Sequence, residues 1–218
     1  MPRTKKPTGL KKVTHHYYRA RKNPLFKIIN LVIFAAVFAW LGHYFFPSHA
    51  ADLTSCDTTG HSWPCHNDSV AANDRGLINS WRSGKGFYTL DHAACLDAAA
   101  SSWAHHEASV GSISEPNVGS LVDKYCPNHY WLAVGANDGV GNSDSNIFNA
   151  FLISCLHFRN IADHGAKGNV YNMTMPNGSS CKFTSVHFVH VGTSVWIDKA
   201  GHRFVNETFA RWQGDPTS

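Results

Sequence analysis

Six cysteines and fifteen histidines carry most of the chemistry open to this chain. The cysteines are Cys56, Cys65, Cys95, Cys126, Cys155 and Cys181. No two are spaced C-x-x-C, which argues against a zinc site built on thiolates. An even set of this kind reads as disulfides formed outside the reducing cytosol. Cys56 and Cys65 lie close enough in sequence to clip one local loop, and the other pairings stay open. Cys155 and His157 are two residues apart, so on a helix they point to different faces and do not make a thiolate–imidazole pair. There is no G-x-S-x-G nucleophile elbow and no glycine-rich phosphate loop. The run Asp138–Asp144 (DGVGNSD) is rich in oxygen donors but lacks the EF-hand spacing, and is expected to be a flexible loop. Asn67, Asn172, Asn177 and Asn206 each begin an N-x-Ser/Thr sequon.

Charge is placed unevenly. Residues 1–27 hold nine Lys or Arg and no Asp or Glu. Of 19 basic and 15 acidic residues in all, this leaves 10 basic against 15 acidic in residues 28–218. That part is mildly acidic, so the high overall pI is no argument for nucleic acid, and no nucleic-acid partner is expected. From Ile28 to Phe46 the chain is apolar and uncharged. About 20 helical residues cross a hydrocarbon core of about 30 Å. Residues 1–24 are therefore expected to be a cytoplasmic tail and residues 25–46 a transmembrane signal anchor that leaves the C-terminal part outside. The alternative is a secreted protein cut near Ala50, after the small-x-small sequence Ser48-His49-Ala50.

Further elements must position whatever site exists. Residues 47–70 are polar and turn-rich and read as a stalk. Leu77, Ile78 and Trp81 predict a short helix over 71–82, followed by a turn at 83–86. Asp91 is expected to cap an Ala-rich helix running to about Ser109. Residues 111–130 look irregular. Trp131–Val134 is expected to be a short strand ending in a turn at Gly135–Gly139. Asn146–Ile161 predicts one helix. Strands are expected over Asn169–Met175, Lys182–Val191, Val195–Ile197 and His202–Phe209, with a hairpin around Pro176-Asn177-Gly178. Helices first and strands later favour α+β with an antiparallel sheet.

With these elements in place, the chain resembles the CAP superfamily, also called SCP-like: the cysteine-rich secretory, antigen 5 and pathogenesis-related group. LINSWRSGKGFYTLDHAACLDAAASSWAHH is similar to the family's opening helix pair. Val134-Gly135-Ala136-Asn137 stands where its Gly-Glu-Asn segment belongs. Ser154-Cys155-Leu156-His157-Phe158-Arg159-Asn160-Ile161 is similar to its Ser-Pro-Gly-His-x-x-Asn-Ile signature. The resemblance spans about residues 71–212 and leaves 213–218 as a tail. It implies a three-layer α-β-α sandwich with a mainly antiparallel sheet, preceded here by the transmembrane helix. It also implies two pairings, Cys95–Cys126 and Cys155–Cys181.

The family's cleft carries two histidines and two glutamates that can hold zinc. Carried over residue by residue, only His157 matches. Ala136 replaces a glutamate, no histidine stands near Ser112–Glu115, and the remaining glutamate has no match. The resemblance thus implies His157, Asn137 and Asn160 as binding residues, and His157 as the candidate for any catalytic or zinc role. The first functional expectation is a surface domain that binds a lipid, a wall component or a protein without catalysis. The alternative is an extracellular hydrolase of protein or wall polymer, with His105, His106, His129, His187 or His190 completing a histidine cluster around His157.

Overall fold

The computed structural model describes Cys56 and residues 62–216. The expected tail and membrane anchor lie outside these residues. Among the described residues, no helix is long and apolar enough to cross a membrane.

The order of elements is β1 (Cys65–His66), α1 (Asp68–Gly84), β2 (Asp91–His92), α2 (Ala94–Val110), α3 (Val118–Tyr125), β3 (Trp131–Gly141), α4 (Asp144–Ile153), α5 (Cys155–Ala162), β4 (Val170–Thr174), β5 (Ser180–Thr184), β6 (His190–Ile197) and β7 (Arg203–Trp212). The main sheet runs β1-β6-β7-β3 with antiparallel neighbours, and β2 joins β6 in parallel. β4 and β5 form a separate hairpin around Pro176–Gly178. The fold class is α+β, as the order of elements implied.

Alternation along the strands sends side chains to two faces. Val191, Val195, Val205 and Phe209 join Val70, Ile78, Phe151 and Phe158 in a large core beneath α1, α4 and α5. Ala210 and Trp212 meet Leu96, Val122 and Cys126 on the opposite face, beneath α2 and α3. Helices thus cover both faces. Three disulfides close: Cys56–Cys65 at the start of the described fold, Cys95–Cys126 between α2 and the end of α3, and Cys155–Cys181 between α5 and β5.

α1 begins at Asp68, earlier than the expected 71, because the Asn67 side chain accepts from the Val70 amide at 3.1 Å and caps the first turn. Its far end is fixed by Arg82, which is fully buried. Arg82 Nη1 donates to the carbonyls of Ile161 and Asp163 at 2.8 and 2.7 Å, where α5 ends. A guanidinium suits the carbonyl end of a helix. α2 packs close to β6 because both surfaces are small. Leu96, Ala99, Ala100 and Ala104 are fully buried, and a Cβ at Gly192 would lie 2.2 Å from the Leu96 carbonyl carbon.

Several expectations are corrected. Asp91 lies in β2, and Ala93 stands at the start of α2 with no side-chain cap. The segment 111–130 contains α3. The single helix expected over 146–161 breaks at Ser154, whose backbone is extended (φ −105°, ψ 113°). Its hydroxyl meets the His157 ring rather than a backbone amide. The strand expected over 182–191 stops at Thr184 and resumes at His190. The largest correction concerns Gly135–Gly139, which is no turn but the middle of an 11-residue strand. These glycines admit helices, not turns. A Cβ at Gly139 would lie 2.5 Å from Ile147 Cγ2 and 2.7 Å from Phe151 Cζ. Asp138–Gly141 likewise belongs to β3 and not to a loop.

Candidate functional site

A cleft of about 650 Å³ opens between β3, α5 and the segment joining α2 to α3. Ala136 and Asp138 line it from β3, His157 and Asn160 from α5, and Ile113 and Glu115 from the connecting segment. The break at Ser154 sets α5 at its own angle and places His157 on the cleft wall.

A buried polar network supports that wall. Asn160 Nδ2 donates to the Ala136 carbonyl at 3.0 Å and to Asn137 Oδ1 at 2.8 Å. Asn137 Nδ2 donates to Glu207 Oε2 at 2.7 Å and to the His157 carbonyl at 3.3 Å. His157 and Asn160 therefore face the cleft, while Asn137 lies beneath it, fully buried, and joins them to β7. Glu207 and Asp74 are both fully buried. Burial pushes each carboxyl well above its ordinary range, Glu207 is raised further by Asp74, and Asp74 by Asp144.

Three further carboxylates belong to the site. Glu107 on α2 accepts from the Ser114 amide at 2.8 Å, and Trp103 Nε1 donates to the Ser114 carbonyl at 3.0 Å. The rim of the cleft hangs on these two bonds. Burial raises Glu107 to about 7, the Ser114 bond pulls it down, and Asp138 pushes it up. Burial also raises Asp138 to about 6, against a 2.6 Å bond from Asn206 and with repulsion from Glu115. His157 is shifted the other way. Burial and then Arg159 lower it, and Glu115 offsets part of this. Resemblance does not reach Glu107, Asp138 or Glu115. The period-2 rule was the available signal: Asp138 is two residues beyond Ala136 and so shares its face.

This arrangement does not suit zinc. Among the described residues, no three His, Cys, Asp or Glu side chains are grouped to hold a metal ion. His157 Nδ1 is engaged by Ser154 Oγ at 3.0 Å, and its ring packs on Phe151. None of the five histidines considered as its helpers lines the cleft. His105 packs on Trp196, His106 on Trp103 and His129 on Trp212. His190 pairs with Asp215, and His187 bonds the Gly165 carbonyl.

A Ser-His-Asp chain does occur elsewhere. His66 Nε2 lies 2.9 Å from Ser194 Oγ, and Nδ1 lies 3.1 Å from Asp68 Oδ1. The order of contacts is that of a hydrolase triad. Ser194 is fully buried, however, so no substrate carbonyl reaches its hydroxyl.

No protein-family model and no curated protein matches the sequence. Among solved structures, an outer surface protein of Borrelia burgdorferi superposes with a TM-score of 0.50 at 12% identity, over 69% of this chain and 99% of that one. The two share a fold. A cysteine-rich secretory protein of Staphylococcus aureus is similar at TM-score 0.48 and 15% identity, over 66% of this chain and 38% of that one. An extracellular SCP-domain protein of Bacillus anthracis is similar at 0.47 and 16%, over 69% and 45%. The chain spans less than half the length of these last two.

Proposed function

We propose that this chain is an exported, membrane-tethered CAP-like domain that holds a ligand or partner in its cleft at the cell surface without catalysis. The observation that carries this reading is the state of His157. It borders a cleft large enough for a ligand, yet among the described residues its ring is hydrogen-bonded to a serine hydroxyl and to no carboxylate. A catalytic histidine is commonly oriented by a carboxylate, and a metal site needs several donors. Ala136, at the cleft floor, supplies neither. Three disulfides support a location outside the cytosol. The fold shared with a protein of an outer surface agrees with it. Residues 25–46 supply the tether.

Filling the cleft tests the reading. The full-length chain, purified in detergent, is sedimented with envelope fragments of its own cells. Ala136→Trp places an indole on the cleft floor and is expected to cut retention at least tenfold while circular dichroism stays unchanged. Equal retention of the two folded proteins contradicts a cleft-borne role.

A further inference from the structure

We infer that the cleft takes an extended peptide, added as a further strand along the free edge of β3 and read by opposite charges at its two ends. This inference rests on the binding role proposed above and names its ligand class. β3 closes one end of the sheet, and among the described residues no strand pairs with its outer side. From Ala133 to Gly141 it runs in register with β7 and contains no proline, so the edge is regular. Free, regular edges are templates for strand addition.

The groove follows that edge. Val134 and Asn160 border both the cleft and a second cavity of about 610 Å³, which continues to Lys182 on β5. Val134 to Asp138 spans about 13 Å at the rise of a strand. Ala136 keeps part of its surface open, and its methyl group is too small to hide the backbone. An incoming backbone can therefore approach closely. Asn160 takes the Ala136 carbonyl from outside the sheet, so an incoming strand pairs with the edge on either side of that position. Ile113, Leu156 and Val170 stand on the rims, between 45% and 60% exposed, as seats for alternate apolar side chains.

Charge sets the polarity. Asp138 and Glu115 lie at one end; Arg159 and Lys182 lie towards the other. Among the described residues, Glu115, Arg159 and Lys182 form no salt bridge. The matching occupant is a strand with a basic residue over Asp138 and Glu115 and an acidic residue over Arg159 and Lys182.

The test uses the full-length chain in detergent and fluorescein-labelled octapeptides of alternating Val and Thr. One carries Lys early and Glu late, one the reverse, and one neither; a fourth copies the better binder with alternate amides N-methylated. Anisotropy is expected to show one charge order binding at least tenfold tighter than the uncharged peptide, with N-methylation removing most of that affinity. Arg159→Ser with Lys182→Ser, both exposed positions, is expected to erase the preference between charge orders. Equal binding of all peptides, or indifference to N-methylation, overturns strand addition. If no peptide saturates the groove but phospholipid vesicles or wall fragments do, and Ala136→Trp blocks them, the peptide inference falls and the binding role stands. Cleavage of the peptides that His157→Ala abolishes overturns the non-catalytic role instead.

Discussion

Replacing Glu107 by Gln isolates one buried proton. The amide keeps the shape and the oxygen that accepts from Ser114, but it no longer ionises. In the folded protein Glu107 is raised from 4.5 to about 7, first by burial and then by Asp138, while the Ser114 bond opposes both. Below pH 4.5 the folded and unfolded chains both hold the proton, and stability is full. As pH rises, the unfolded chain ionises first and the folded one retains its proton, so stability falls until about pH 7. Raising the carboxyl from 4.5 to about 7, at about 1.36 kcal/mol per pH unit, sets a ceiling of ~3.4 kcal/mol. The carboxyl has no exposed surface, yet it sits directly under the exposed segment 111–115. Screening reduces the expected loss to about 1–2 kcal/mol. Asp138, Asp74 and Glu207 contribute slopes of the same sign in both proteins, so the readout is the difference between them. Urea denaturation at several pH values from 4.5 to 7.5 measures it. The Gln variant should gain about 1–2 kcal/mol on the parent between those limits. Parallel curves would refute the account of how the cleft rim is held.

Gly139→Ala forces a methyl into Ile147 and Phe151 and should cost about 2–3 kcal/mol in a thermal or urea melt. Gly76→Ala, on the exposed face of α1 with open space around it, should instead add about 0.5–1 kcal/mol. Proton NMR should find His157 titrating below the ordinary histidine value, with Arg159→Ala moving it up and Glu115→Gln moving it further down. Ser194→Ala should leave any hydrolysis by the protein unchanged and lower stability by about 1 kcal/mol, since its buried hydroxyl holds His66.

Periodicity made much of the fold legible. The stripe of α1, the Ala-rich run of α2, the turn at Pro176–Gly178 and the late run of strands all follow from local sequence. The even cysteine set was readable as disulfides, and three close. The misreadings share a cause: residues with strong local preferences were used for tertiary ends. The glycines of β3 look like a turn because glycine favours turns, yet at Gly139 the missing Cβ makes room for α4. Ser154 divides a stretch that is apolar and helical throughout, and nothing local announces that its hydroxyl will take the His157 ring. Asp91 has the chemistry of a cap but is drawn into pairing with β6. The site was harder to read. Resemblance points to His157, but its surroundings depend on a strand, a helix and a connecting segment distant in sequence. Glu107 and Glu115 had no motif to mark them. Asp138 was hidden by the assumption of a turn, which removes the alternation that places it beside Ala136.

Turnover tests the central claim most directly. The full-length protein and its His157→Ala variant are incubated with fluorescein-casein and with labelled cell-wall polymer, and released label is followed to long times. A binding domain is expected to release no more than the buffer does, and the two proteins should be indistinguishable. Hydrolysis by the parent that disappears in the variant would contradict the claim and make His157 a catalytic residue.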